Sequence, residues 1–301
     1  MIKYVTLFSI AISFLSCSDV QNNSSPLSGV WTRIGDVKFV DGKPTDTTFY
    51  GDGKIRGAKG RMIKSYSDEN FVWFRYNDKF DSLGVNVGSE TAVQGRYKVK
   101  NDSLIEYIEN VDDKTKVRWA DWMNRINSTY TARLIYGDNK YIQFNLRKDG
   151  TGNGELWSKT DSFSKNKNPL VGVYTIKNEI RMENFQPVDT TVWRENDKTS
   201  IWFSIFSDNY RTTFFQQIRL DSLGNDNWNG SGLLVKYEYD NNTLMEKFDF
   251  GTKQPQEAFR GRNSIRESKL DLTSETGFKY RIFGPDRLNG NGTAVFFSRI
   301  E

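Results

Sequence analysis

Two glutamates stand where a glutamate is costly. Glu106 lies between Leu104 and Ile108, and Glu246 shares its alternating face with Leu244, Phe248 and Phe250. In a strand, that spacing places each carboxylate on an otherwise apolar face turned inward. A carboxylate there must be paired or hydrogen-bonded, and its pKa tends to rise. One reading makes the two glutamates polar anchors for a ligand head group, with a general-acid role as an extension. The other makes them structural groups satisfied by a neighbouring Arg, Tyr or backbone N–H. Tyr97 and Tyr237 precede them by nine residues across a hairpin and are placed to hydrogen-bond them. Other chemistry is narrow. Histidine is absent from all 301 residues, which excludes an imidazole base, a His–metal site and a Ser–His pair. No metal or cofactor is called for. No second group pairs convincingly with either glutamate for catalysis, so the expected role is non-catalytic binding, with a carboxylate-based enzyme a lesser alternative.

Aromatic residues form a second candidate set, with 8 Trp, 14 Tyr and 21 Phe. Trp73, Trp119 and Trp122 in the first half, and Trp193, Trp202 and Trp228 in the second, are candidates to line a pocket or offer a platform for sugar rings, or else to fill core and rim. Trp228 sits in the run Asn225 to Gly230, which reads as an exposed polar turn. The same run fails the calcium-loop pattern, because Asn225 opens it and Lys236 stands where the closing Glu belongs. Asp149 to Gly154 reads as a tight hairpin rather than a phosphate loop. Five Asp-Ser/Thr-Leu/Thr triplets, beginning at Asp46, Asp81, Asp102, Asp189 and Asp221, resemble an O-glycosylation acceptor and are equally ordinary turn sequence. Lys+Arg 42 against Asp+Glu 38 is too balanced for a nucleic-acid partner.

The lone cysteine sets the expected location. Lys3 precedes an apolar run, Tyr4 to Leu15, too short to span a bilayer, and Ser16-Cys17 follows. This resembles a bacterial lipobox, which implies a signal peptide over 1–16, lipidation of Cys17 and a polar tether over 17–25. Ser18 after the cysteine points to the outer membrane, with the periplasmic face and the cell surface both open. An envelope protein partner fits this setting as well as a small ligand or a glycan does.

An internal repeat dictates the architecture. Pro26-Leu27-Ser28-Gly29-Val30-Trp31 recurs as Pro169-Leu170-Val171-Gly172-Val173-Tyr174, 143 positions on. After a three-residue loss the offset is 140: Ser67-Asp68 recurs as Ser207-Asp208, Asp81 to Gly84 as Asp221 to Gly224, and Leu104-Ile105-Glu106 as Leu244-Met245-Glu246. The expected units are 26–161 and 169–301, joined by 162–168. Within each, period-two alternation and Asp-Gly or Asn-Gly turns predict about eight or nine strands. Trp119, Trp122, Met123 and Ile126 fall at helical spacing and predict a short helix near 115–127. So many antiparallel strands must close or stack to hide their edges, so the expected fold is all-β, two tandem antiparallel up-and-down β-barrels.

Gly29-Val30-Trp31 on the first strand resembles the Gly-x-Trp opening of lipocalins. Ser67 to Arg75, Gly95-Arg96-Tyr97 and Leu104 to Tyr107 look like the lipocalin-like domains of bacterial lipoproteins. The resemblance implies that Trp31, and Tyr174 in the second copy, plug the closed end of each barrel. It also implies a cavity for a small apolar or amphipathic ligand in one or both barrels.

Overall fold

The computed structural model describes residues 25–51, 54–55, 58–78, 82–83, 89–112, 127–164, 168–184, 186–192, 200–220, 226–252, 265–271, 277–283 and 291–301. Cys17 and the expected signal peptide, the expected helix near 115–127, and Trp119, Trp122 and Trp193 lie outside these residues.

Among the described residues the first half forms ten strands: β1 (Gly29–Val40), β2 (Lys43–Phe49), β3 (Lys54–Ile55), β4 (Ala58–Tyr66), β5 (Asn70–Asp78), β6 (Ser89–Lys100), β7 (Ser103–Val111), β8 (Thr129–Gly137), β9 (Lys140–Leu146) and β10 (Gly152–Asp161). Each neighbour is antiparallel, and β1 pairs with both β10 and β4. Strands β1 and β4 to β10 therefore close into an eight-stranded barrel. The long β1 makes this possible by dividing its free edge: Gly29 to Thr32 pair with β4, and Gly35 to Val40 pair with β2. The β1–β2 connection is two residues, Asp41 and Gly42, both with positive φ (50° and 74°), as a tight hairpin with native twist requires.

The second half repeats the plan with β11 (Gly172–Glu183), β12 (Gln186–Val192), β13 (Ser200–Phe206), β14 (Tyr210–Leu220), β15 (Asp226–Asp240), β16 (Thr243–Gly251), β17 (Ile265–Asp271), β18 (Gly277–Phe283) and β19 (Gly292–Arg299). Here β11 pairs with both β13 and β19, closing a second barrel of eight strands with β12 as an outer flap. The chain is all-β, two tandem antiparallel up-and-down barrels.

Each barrel has its own interior cluster. In barrel 1 it includes Leu27, Trp31, Tyr66, Phe71, Tyr97, Leu104, Tyr141 and Trp157, and in barrel 2 Leu170, Tyr174, Phe206, Tyr237, Leu244, Leu270 and Phe297. A third cluster belongs to neither interior. It joins Val30, Ile63, Val72, Phe74 and Ala92 of barrel 1 to Val173, Phe203, Phe214, Leu234 and Phe250 of barrel 2, so the barrels share an apolar seam. Phe74 and Phe250 stack there at 5.7 Å, Arg61 pairs with Asp249 at 3.0 Å, and the Gln216 amide donates to the Val111 carbonyl at 2.9 Å. Gly232 is required at the seam, because a Cβ on it would overlap the Phe74 ring.

Two expectations from alternation are corrected here. Phe250 does not share the inward face of Glu246. A register shift between Leu234 and Val235 inserts an extra residue in β16, and the resulting bulge sends Phe250 to the seam. Nor does Asn225 to Gly230 form a turn at Trp228. Strand β15 runs from Asp226 and pairs Trp228 with Ile218, so eleven rungs of ladder override the local turn preference of Asn and Asp. The Trp228 side chain lies outside the described residues.

Candidate functional site

Glu106 sits on β7, flanked in register by Tyr97 on β6 and Tyr130 on β8. It is buried, and its Oε1 accepts from Lys64 Nζ at 2.8 Å and from the Tyr66 hydroxyl at 2.7 Å. Lys64 also donates to Gln143 Oε1 at 2.8 Å and lies 5.3 Å above the Trp157 ring. An ammonium taken out of water needs such a set: a counter-charge, an amide oxygen and a π face.

Glu246 holds the matching position on β16, between Tyr237 and Arg266, and is also buried. Its Oε1 accepts from Arg211 Nε at 2.6 Å, and Arg211 Nη1 donates to Thr213 at 2.8 Å. Burial pulls the Arg211 pKa below its ordinary value, which makes the adjacent carboxylate essential to the charged form. The two glutamates are equivalent, yet their cations are not. Lys64 stands on β4, where barrel 2 has Ser204, and Arg211 stands on β14, where barrel 1 has Phe71. Each barrel neutralises the same carboxylate from a different strand. Both glutamates are thus satisfied within the protein by neighbouring cations.

Tyr97 and Tyr237 do not bond the glutamates. Their hydroxyls donate to the Ser67 and Ser207 carbonyls at 2.6 and 2.5 Å, closing the β4–β5 turn in barrel 1 and the β13–β14 turn in barrel 2. Cross-strand neighbours stand about 5 Å apart, and a tyrosine is long enough to pass its partner and reach the barrel end. Burial holds both phenols well above their ordinary pKa. Tyr66 and Tyr141 are raised by burial first and by the Glu106 charge second.

Trp31 and Tyr174 occupy equivalent interior positions. Trp31 Nε1 donates to the Leu27 carbonyl at 2.6 Å, and its ring meets Tyr141 edge-on at 4.8 Å. Tyr174 meets Phe206 edge-on at 5.3 Å. A cation covers each ring from the last strand, Lys159 at 5.5 Å and Arg299 at 5.7 Å. Trp73 is half-buried against the barrel 1 interior cluster, in register with Lys64 and Val93.

The two interiors have diverged further along the lumen. In barrel 1, Arg33 pairs with Asp36 and, at 2.8 Å, with Glu155, whose side chain is 32 % exposed. At the equivalent positions barrel 2 has Ile176 and Val295 in place of Arg33 and Glu155, and Phe215 in place of Arg75. The Trp202 ring packs edge-on against Phe215 at 5.5 Å, and Ser268 Oγ and Trp202 Nε1 are buried with no hydrogen-bond partner among the described residues. The sequence reading missed Lys64, Arg211 and Arg33. The signal that revealed Glu106 marks Lys64, which stands between Met62 and Tyr66 on its strand face, but not Arg211, which stands between Asn209 and Thr213.

No protein-family model matches the chain, and no curated protein matches it significantly. Two solved structures do. A lipocalin-like protein from Bacteroides uniformis is 11% identical, covers 44% of this chain and 100% of its own, and superposes with a TM-score of 0.27. An uncharacterized protein from Bacteroides eggerthii is 17% identical, covers 44% and 98%, and gives a TM-score of 0.25.

Proposed function

We propose that the chain is a non-catalytic binding protein of the bacterial envelope, tethered to the outer membrane through lipidated Cys17, and that barrel 2 holds a small apolar or amphipathic molecule. The observation that carries this reading is the exchange of charge for hydrocarbon between the lumens. Barrel 1 fills its interior with the ion pairs Lys64–Glu106 and Arg33–Glu155. Among its described residues barrel 2 has the pair Arg211–Glu246, and it sets Ile176, Val295 and Phe215 where barrel 1 has charge. Burying apolar ligand surface against such residues is worth about 25 cal/mol per Å². The buried Ser268 hydroxyl and Trp202 N–H supply unspent polarity for one polar end of a guest.

The test is titration of residues 18–301 with N-phenyl-1-naphthylamine, a neutral apolar fluorophore. The reading expects saturable binding that is lost when barrel 2 receives the barrel 1 pair (Ile176→Arg with Val295→Glu). Filling the lumen without charge (Ile176→Trp) gives the same loss. The reciprocal change in barrel 1 (Arg33→Ile with Glu155→Val) leaves binding in place. Absence of binding by the unaltered chain refutes the reading.

A further inference from the structure

The contacts between the barrels obey the same offset as the sequence repeat. Asp161, the last residue of β10, reaches across to barrel 2: its Oδ2 accepts from Ser207 Oγ at 2.6 Å and from the Asn209 N–H at 2.8 Å, and its Oδ1 accepts from Asn209 Nδ2 at 2.8 Å. Glu301, 140 positions later, reaches back to barrel 1. Its Oε2 accepts from Ser67 Oγ and Asn70 Nδ2, both at 2.6 Å, and its Oε1 from the Asp68 and Glu69 N–H groups at 2.5 and 3.0 Å. Ser207 and Asn209 are themselves Ser67 and Glu69 moved by 140. Residue i of one barrel therefore grips residue j of the other, and j's barrel returns the same grip. That reciprocity defines an isologous interface, the kind a two-fold dimer makes. The apolar seam has the same character, because Val30 and Val173, Ile63 and Phe203, and Phe74 and Phe214 are equivalent pairs with both members in one cluster.

We infer that the seam is a self-complementary docking surface, that the two barrels are held as the subunits of a two-fold dimer are, and that the partner this surface fits is the corresponding barrel of a second copy of the chain. The pairing is specific for barrel 1 with barrel 2. Phe74 lies over Gly232, whereas the symmetric contact would press Phe214 on Ala92, and Arg61–Asp249 has Ile201 and Glu109 at its equivalent positions. The start of the joining segment adds to the seam: Phe163 lies in its apolar cluster, and the Ser164 N–H and hydroxyl donate to the Asp208 carboxylate at 2.8 and 3.0 Å. This inference is independent of what either lumen binds.

The test uses the whole chain with a protease site inserted between Lys165 and Lys167, folded first and then cleaved. The halves stay together as a one-to-one complex on native mass spectrometry, and mixing light and isotopically heavy cleaved protein yields hybrid pairs as abundant as the parental ones. Asp161→Asn and Glu301→Gln, each verified as folded by circular dichroism, each weaken the complex by about tenfold or more, as expected when a multiply hydrogen-bonded carboxylate loses its charge. Separation of the unaltered halves at micromolar concentration overturns the inference. So does an effect confined to one of the two carboxylates, since a two-fold seam cannot have a single working latch.

Discussion

Removing the Glu246 carboxylate tests how a charge survives in the second barrel. In Glu246→Leu, Arg211 keeps Thr213 but loses the counter-charge at 2.6 Å, in a site where both side chains are almost fully buried (2% and 1% exposed). An uncompensated buried charge of this kind costs about 3–5 kcal/mol. Replacing both partners (Arg211→Leu with Glu246→Leu) removes the charge with the counter-charge and is expected to be neutral or stabilising by about 1–4 kcal/mol. Glu106→Leu strands the Lys64 ammonium in the first barrel in the same way, since that side chain is buried too, and carries a comparable cost. Urea unfolding followed by tryptophan fluorescence at pH 7 measures all three variants. A double variant less stable than Glu246→Leu alone, or a Glu246→Leu cost under about 1 kcal/mol, refutes the account of a buried pair.

Other outcomes follow from the same geometry. Tyr66, Tyr97, Tyr141, Tyr174 and Tyr237 all have folded pKa values above the ordinary 10, with Tyr174 raised to about 12. The unfolded chain releases these protons first, so their contribution to stability is complete below pH 10. It declines above pH 10 by up to about 1.36 kcal/mol per unit for each tyrosine. Ultraviolet phenolate absorbance should show these five silent until the chain unfolds. Gly232→Ala forces the Phe74 ring to move and is expected to cost about 1–3 kcal/mol by urea unfolding, with partial rescue by Phe74→Leu. Cys17→Ser should shift the protein from the membrane fraction to the soluble fraction of the cell, and retention in the membrane would count against the lipid anchor.

The strands were legible because alternation and Asp-Gly or Asn-Gly turns are local signals, and closure followed from the need to hide edges. The inward glutamates were legible for the same reason, since a charge in an apolar stripe stands out within five residues. Their partners were not. Lys64 is 42 residues from Glu106 and Arg211 is 35 from Glu246, and a barrel brings such residues together only through stagger that no short window contains. Phe250 and Trp228 were misplaced for a related reason. A bulge breaks period two without any mark in composition, and a long ladder can carry Asn and Asp through what looks like a turn. Tyr97 and Tyr237 were correctly placed beside the glutamates in register, but the reach of the side chain, not the position of its Cα, decided where the hydroxyl went.

The divided supply of cations has a genetic consequence. Two homologous halves of one gene can exchange sequence, and most exchanges between similar folds are tolerated. A crossover falling between position 64 and position 71 of the repeat is not. One product inherits both Lys64 and the Arg211 position, placing two cations on one carboxylate. The other inherits Ser204 and Phe71, leaving a buried glutamate with none. Either recombinant is penalised at the core, so this short interval acts as a barrier to homogenisation and lets the two barrels keep separate histories within one gene.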